Sequence, residues 1–468
     1  MNTFVFDSIC PHRGFHLDEV VPCGLVKAFG GDKIQLAPGC QIEPCKLSGS
    51  EAENIAAGRW PLGQCQGLFD DKDGYGRRIP NTSTTSKVAS FLGVPTAVNP
   101  LIRAVTLNDS EGGSSPTELP ALTRCMLYSN PFDQQAAIYL QIDDAVCMLI
   151  GYLMKVAEAQ AEGKTLECTD YVRPTNVVAQ MIKDDPAMPI SIQLHLKKIV
   201  RESERNIGEI LELSSICRAY KVCGESDENT ATWARMMLDQ VVIQQSMFQE
   251  AITELLRNQR KFPVYTSRDG TRKYAALIRS DNAQVGAASR SKDFMYEAII
   301  IRRRSGNLSI FPNTRDDAEI SYNHRIVWAL IRMEDSSLED RARAEFRDYC
   351  EPGNHPSALH WHMMDHGPAL NGTLGIEARP STMTNDRAMR ITQFGYQHED
   401  AGFNEFKRMR SDARRELAAQ RSETHTLPAS RNGKSNGSSR VFVDYPGVSE
   451  ETKRDLADAF DAGTHKRS

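Results

Sequence analysis

The sequence predicts a mainly α-helical fold with an inserted small β-hairpin region. Two helical lobes, a loop- and strand-rich N-terminal arm and a flexible C-terminal tail complete the predicted architecture. Three observations predict it. Apolar residues recur every three or four positions in long stretches of residues 131–260 and 313–420, which is the helical period. Alternation replaces that period in residues 261–312, and residues 421–440 offer few apolar side chains.

Residues 1–130 predict an arm or subdomain of strands and loops. Gly, Pro, Ser, Thr and Asn are frequent there, the apolar runs are short, and no helical period is sustained. An acid at Asp7 interrupts the first apolar stretch, so we expect no secretory signal. The longest apolar run, residues 145–154, is about half of a membrane span, so we also expect no spanning helix.

Residues 131–260 predict the first helical lobe. The apolar spacing indicates helices over residues 133–161, 190–222 and 227–259. Ser226 or Asp227 is a suitable cap for the third helix, and Gly224 is a suitable end for the second. The scattered, odd set of 11 cysteines indicates reduced thiols in a cytosolic or nuclear compartment rather than a disulfide framework.

Residues 261–312 predict a basic β-hairpin region. Asp269-Gly270 supplies the turn of a first hairpin, and a second hairpin covers residues 297–311. The stretch 257–304 holds twelve Lys and Arg against four Asp and Glu, a net +8, although the whole chain carries a formal charge of -5. A basic segment in an otherwise acidic chain is typical of proteins that bind a polyanion at a single site.

The carboxyl-terminal third predicts three further units. Helical period returns over residues 313–420 as a second lobe, and residues 421–440 form a flexible linker. Residues 441–468 are apolar and then acidic again, which is typical of a docking peptide on a tether.

The basic segment predicts a nucleic-acid surface. Arginine holds phosphate with a bidentate fork, and aromatic rings stack on unpaired bases. The alternative is a solvated face, or a set of ion pairs with the acidic remainder of the chain. The candidate phosphate-binding residues and stacking rings are Arg268, Arg272, Lys273, Arg279, Arg290, Lys292, Arg302, Arg303, Arg304, Tyr265, Tyr274 and Tyr296.

A histidine-rich stretch gives an alternative, metal-dependent site. In a helix, His362 and His366 would share a face at i and i+4 and could bind zinc together with His360, with Asp365 as ligand or base. The competing interpretation is that these imidazoles are ordinary hydrogen-bonding groups.

Other apparent motifs are incomplete, so we predict no cofactor. Cys10-Pro11-His12 resembles half of a Rieske iron–sulfur motif, but the second half is missing. A zinc site built from Cys10, His12, Cys23, Cys40 and Cys45 remains open, although no paired Cys-x-x-Cys spacing supports it. The acidic run at residues 70–74 resembles a calcium loop with its glycine out of place.

The order of arm, helical lobe, basic middle, helical lobe, tether and terminal peptide resembles the nucleoproteins of RNA viruses. That resemblance implies a self-assembling coat protein that encapsidates single-stranded RNA without sequence preference, in the virion and host cytoplasm. It also implies homo-oligomers and a polymerase cofactor recruited by the terminal peptide. The alternatives are a metal-dependent hydrolase at His360, His362 and His366, and a structural capsid or scaffold protein without RNA contact.

Overall fold

Helices dominate the chain, as the sequence predicts. The computed structural model describes residues 3–65, 67–72, 79–130, 132–313, 320–364, 367–372 and 379–425. The predicted docking peptide, most of the predicted linker, Asp365 and His366 lie outside these residues.

The chain begins with a small parallel sheet. Strand β1 (Phe4–Cys10) is followed by helix α1 (Leu17–Phe29) and strand β2 (Ile34–Ile42), and β2 pairs parallel to β1. Strand β3 (Arg59–Pro61) pairs parallel to β1 on its other side, so the strand order is β2-β1-β3. All three strands therefore end at the same edge of the sheet.

Helices surround this sheet and continue through the first half of the chain. They are α2 (Glu51–Ala56), α3 (Thr84–Leu92), α4 (Asn99–Glu111), α5 (Leu119–Ser129), α6 (Gln135–Ala161), α7 (Pro174–Asp184), α8 (Ile190–Arg205), α9 (Leu213–Cys223) and α10 (Asp227–Asn258). The predicted cap of α10 is confirmed, because the Ser226 hydroxyl accepts a 3.1 Å hydrogen bond from the Asn229 amide. The single helix predicted over residues 190–222 is wrong, since α8 and α9 are separate.

The prediction that residues 1–130 form strands and loops without helices is also wrong. Residues that resemble turn signals are helix boundaries here: Ser83 caps α3, Gly93 ends it at φ +67°, and α4 and α5 each have a proline in the first turn. One hydrophobic core runs from Phe6 to Val241. The amino-terminal segment therefore shares its core with the helices that follow it.

Helix α6 is the central helix of this core. Among the described residues, it alone is long and apolar enough to cross a membrane by length and composition, and 56% of its most apolar window is buried in the protein. It packs against α1 and α9. The core helix of a globular protein has the same composition.

The second half of the chain is organised by a seven-stranded mixed sheet of order β4-β5-β6-β7-β10-β9-β8. Its strands are β4 (Arg260–Thr266), β5 (Arg272–Arg279), β6 (Ala298–Arg302), β7 (Leu308–Pro312), β8 (Gly353–Asn354), β9 (Trp361–Met363) and β10 (Ala369–Asn371), and the short helix α11 (Val285–Ala288) lies between β5 and β6. Both predicted hairpins are confirmed, since β4 pairs antiparallel with β5 and β6 with β7. The sheet is larger than predicted, because β5 and β6 pair in parallel and three short strands extend the other edge.

Both faces of this sheet are covered, which explains the apolar sequence of β6. Ala298 and Ile300 lie in one hydrophobic cluster, whereas Ile299 and Ile301 lie in another with Leu255 of α10. The first cluster also contains residues of α12 (His324–Asp335), α14 (Phe346–Tyr349), α15 (Asn385–Phe394) and α16 (Glu399–His425). The short helix α13 (Leu338–Arg343) packs against α16. Helix α16 continues into the first residues of the predicted linker.

A buried arginine ties α12 to the chain that follows it. Arg332 is 1% exposed, and its guanidinium donates to the carbonyls of Tyr349 at 2.9 Å, Glu351 at 2.6 Å and Gly353 at 2.7 Å. Burial lowers the pKa of Arg332 to about 10, which leaves it charged at neutral pH.

Replacing Arg332 should destabilise the fold without touching its surface. Arg332→Met keeps an apolar side chain of similar length but leaves one buried and two partly buried carbonyls without their donor, so we expect a loss of roughly 3 kcal/mol in the free energy of unfolding. The measurement is urea denaturation followed by circular dichroism. Arg325→Met is the matched control, because Arg325 is exposed on the same helix. Equal stability of the two variants would contradict this role.

Candidate metal centre

Ligands of open parallel sheets bind outside the carboxyl ends of the strands, where the connections diverge to either side. In the amino-terminal sheet this place lies between β1 and β3, because the chain leaves β1 toward β2 while β3 lies on the opposite side. His12 and His16 follow β1, and Asp70 and Asp71 follow β3. The topology therefore gathers imidazoles and carboxylates at one edge.

One of these side chains, His16, converges with two further acids, Asp18 and Asp109. The ligand atoms of His16, Asp18 and Asp109 all lie within 4.8 Å of one another, and His16 Nδ1 is 4.0 Å from Asp109 Oδ1. His16 ends the loop after β1, Asp18 stands in the first turn of α1, and Asp109 stands near the end of α4. The side chain of Asp109 is 5% exposed whereas that of His16 is 72% exposed. The group thus has a buried acidic side and an imidazole facing solvent.

Glu19 holds the loop that carries the histidines. Its carboxylate accepts hydrogen bonds from the amides of His16 at 3.1 Å and His12 at 3.5 Å, and it contacts the His12 ring. Burial opposes protonation of His12, but the Glu19 carboxylate outweighs burial and raises the pKa of the imidazole, and Asp70 acts in the same direction. The carbonyl of Glu19 accepts from the hydroxyl of Tyr139 on α6 at 2.8 Å.

A glycine after β3 allows the close approach of this carboxylate. Gly63 adopts φ +63°, and a Cβ at that position would lie 2.7 Å from Glu19 Oε1. The next turn presents Asp70 and Asp71, which are 1% and 4% exposed. The Asp70 carboxylate accepts from the amide of Lys72 at 3.2 Å. A second acidic group therefore lies at the same sheet edge, beside His12.

A cleft of about 260 Å³ opens beside the three converging ligands. Its wall includes His16, Asp18 and Asp109, together with Arg124 of α5. Arg124 is exposed, and its guanidinium donates to the Ser114 hydroxyl. The cleft therefore places one fixed positive charge beside a set of carboxylates and an imidazole.

The histidines singled out from the sequence lie elsewhere. His362 is on strand β9, where it pairs with Leu370 of β10, so the helix expected to carry His362 is wrong, whereas His366 lies outside the described residues. The segment that contains His362 is too short for its sequence pattern to distinguish a helix from a strand. His360 is 1% exposed, and its Nε2 lies 3.3 Å from the Asp335 carboxylate.

The predicted basic residues divide into two groups. Arg268, Arg272, Arg279, Arg290, Lys292 and Arg304 are exposed and Lys273 is partly exposed. Arg302 instead donates to the carbonyls of Met383 and Gly306 and to Asn385 Oδ1. Arg303 donates to the Asp281 carbonyl at 3.0 Å, and Arg304 lies 3.4 Å from the Asp281 carboxylate.

The three predicted stacking rings are partly or fully covered. Tyr296 is 3% exposed and its hydroxyl contacts Gln259, so its proposed role as a platform for bases is corrected to that of a core residue. Tyr265 stacks on Tyr396 with 5.7 Å between ring centroids. The Lys261 ammonium lies 5.1 Å from the Tyr274 ring centroid.

Sequence reasoning missed His16, Asp18 and Asp109. A usable signal was present in the stretch from Cys10 to Glu19, which holds two histidines and two acids directly after a short apolar strand. That stretch also resembles half of an iron–sulfur motif, and the acids after β3 resemble a calcium loop. The proximity of Asp109 to His16 and Asp18 does not follow from the sequence pattern, because that pattern does not predict the parallel sheet and the helices around it.

Comparisons with known proteins do not place the chain in a family. No family model matches it, and no curated protein sequence matches it. An uncharacterised protein from Helicobacter pylori G27 is a similar solved structure, with 14% identity, a TM-score of 0.22, and coverage of 84% of this chain and 99% of that one. RecJ in complex with Mg²⁺ from Thermus thermophilus has 9% identity, a TM-score of 0.26, and coverage of 69% of this chain and 44% of that one.

Removing a converging carboxylate should weaken cation binding. We expect Asp18→Asn and Asp109→Asn each to raise the dissociation constant for Mn²⁺ by about tenfold or more, because each substitution removes a charged oxygen ligand. Isothermal titration calorimetry on the full chain measures this. Glu111→Gln is the control, since Glu111 is an exposed acid on the same helix as Asp109. The assignment fails if all three variants bind Mn²⁺ like the unaltered protein.

Proposed function

We propose that this protein is a divalent-cation-dependent hydrolase of phosphate esters, with its active site at the carboxyl edge of the amino-terminal sheet. The observation that carries the proposal is the convergence of His16, Asp18 and Asp109 within 4.8 Å from separate parts of the sequence. Hydrolytic metal sites bind the cation through such mixed ligand sets and leave further positions open.

The donor set favours a particular class of cation. Carboxylate oxygens suit Mg²⁺ and Mn²⁺, whereas imidazole suits the transition metals, so a mixed set fits Mn²⁺ best. The carboxylate of Asp70 raises the pKa of His12 at the same edge, and these two residues are candidates to hold a second cation or to orient water. A divalent cation supplies an acidic water and neutralises charge on the ester.

Two further roles, holding the phosphate ester and fixing the loop that carries the histidines, fall to side chains of the protein. Attack of water on phosphorus forms one P–O bond and breaks the bond to the leaving alcohol, which takes up the proton lost by water. Arg124 stands in the wall of the cleft, where a guanidinium can hold the non-bridging oxygens. Glu19, locked between His12 and His16, fixes the loop geometry rather than contacting substrate.

Hydrolysis of bis(4-nitrophenyl) phosphate tests the proposal. We expect release of nitrophenolate in Mn²⁺, its loss in EDTA, and a decrease in kcat/KM of about 100-fold for Asp18→Asn, which equals about 2.7 kcal/mol of transition-state stabilisation. Glu111→Gln should keep full activity. Turnover that continues in EDTA, or that survives in Asp18→Asn, would rule out this site.

RNA binding remains a second candidate, supported by a different observation. Arg268, Arg272, Arg279, Arg290, Lys292 and Arg304 stay exposed, and with Lys273 they form what we term the basic surface. We propose that a single-stranded RNA backbone follows this surface, and that the two large hydrophobic clusters are the two lobes of the predicted nucleoprotein. Self-assembly and a polymerase cofactor belong to the same proposal.

Charge removal at the hairpin tip tests RNA binding. The double variant Arg268→Ala, Arg272→Ala should weaken binding to an unstructured RNA and reduce the slope of log affinity against log salt by about 1.4, the value for two phosphate contacts on a single strand. Fluorescence anisotropy measures both quantities. Arg343→Ala, Arg347→Ala removes the same charge from exposed sites on other helices and should leave the slope unchanged. If both double variants lowered the affinity and the salt slope equally, the effect would come from net charge alone and the basic surface would not be the RNA site.

A further inference from the structure

A second cleft lies in the carboxyl-terminal part of the protein, between α12, α13 and the chain that precedes α15. Its volume is about 430 Å³, and polar side chains form most of its wall. The lining residues used below are Asp335, Ser337, Arg341, Arg379 and Thr382. The metal centre does not use any of them.

The guanidinium of Arg379 is held in this wall by a buried network. Its Nη2 lies 3.2 Å from His360 Nδ1, and His360 Nε2 lies 3.3 Å from the Asp335 carboxylate. A guanidinium only donates hydrogen bonds, so His360 Nδ1 accepts and Nε2 carries the proton toward Asp335. The arginine is therefore positioned by a neutral histidine that is 1% exposed.

The Asp335 carboxylate accepts further hydrogen bonds within this network. It accepts from Trp361 Nε1 at 2.7 Å and from the Thr382 hydroxyl at 2.6 Å. Burial opposes ionisation of Asp335, but the hydrogen bonds from His360, Ser381, Thr382 and Trp361 outweigh burial and lower its pKa. The negative charge of Asp335 is thus directed into the protein rather than into the cleft.

The backbone of Arg379 is anchored as well. Asn371, which is 1% exposed, donates to the carbonyls of both Arg379 and His360 at 3.0 Å. Main chain and side chain of Arg379 are therefore both fixed, which lowers the entropy lost when the guanidinium binds a ligand.

Arg341 of α13 supplies a second guanidinium in the wall of the same cleft. The Nε of Arg341 is buried and has no hydrogen-bond partner. Over the residues that the structure describes, neither Arg341 nor Arg379 forms an ion pair, whereas Glu334 and Asp340, which line the same cleft, do have donors. Glu334 accepts from Arg387 at 2.8 Å, and Asp340 accepts from the Ser337 hydroxyl at 2.8 Å.

We propose that this cleft, the Arg341–Arg379 cleft, binds a phosphate group. Two guanidiniums in one wall supply paired donors that match phosphate oxygens. The site is independent of the metal centre.

Binding of inorganic phosphate to the full chain in EDTA tests the proposal, because EDTA removes any contribution from a metal-bound phosphate. Calorimetry should show binding to the unaltered protein, and Arg341→Ala and Arg379→Gln should each weaken it by about tenfold or more. Arg379→Gln keeps a donor for His360 and so preserves the buried network. Arg343→Ala is the matched control, since Arg343 is exposed on the same helix as Arg341.

The outcomes are separable. Loss of binding in Arg341→Ala and Arg379→Gln, with unchanged thermal unfolding and with normal binding in Arg343→Ala, supports the site. No binding to the unaltered protein, equal weakening in all three variants, or unchanged binding in both cleft variants overturns it. Hydrolytic activity in Mn²⁺ is measured in parallel, so that failure of this site is distinguished from failure of the metal centre.

Discussion

Parallel pairing of β1 with both of its neighbours is the constraint on which the amino-terminal half depends. Parallel strands cannot be joined by a tight turn, so the chain must cross the sheet through α1 before β2 can pair. The crossover brings the first turn of α1 to the sheet edge where β1 and β3 end. His16 and Asp18 meet there because the backbone ladder requires that path, and α4 packs against α1 and brings Asp109 to them.

In the carboxyl-terminal half the main constraint is a sheet that is buried on both faces. An apolar strand such as β6 can be accommodated only if helices cover each side, and α10 supplies one cover while α12, α15 and α16 supply the other. Several buried polar groups of this half are held in hydrogen-bonded networks. Asp335, His360 and Trp361 form one such network, and Arg332 with its three carbonyl acceptors forms another.

Much of the architecture follows from local sequence pattern, whereas the candidate site does not. Long helices such as α6 and α10, and the hairpins of β4 with β5 and β6 with β7, carry strong periods or turn signals within one segment. The short helices of the first 130 residues do not, because their capping serines, glycines and prolines are the same residues that mark loops. Asp18 and Asp109 lie 91 positions apart in the sequence, so only tertiary packing reveals their proximity. The arginines at 302 and 303 show the converse case, in which a charge run serves internal hydrogen bonding.

The convergence of Asp18 and Asp109 also links cation binding to the stability of the folded chain. Asp18 and Asp109 are brought within reach of one cation only after α1 and α4 have docked, so the unfolded chain lacks the preformed site. A cation that binds only the folded chain stabilises it by mass action, and the gain grows with the logarithm of cation concentration above the dissociation constant. Cation supply would then set how long the amino-terminal core persists against heat and proteases, and this would hold whether or not a substrate is present.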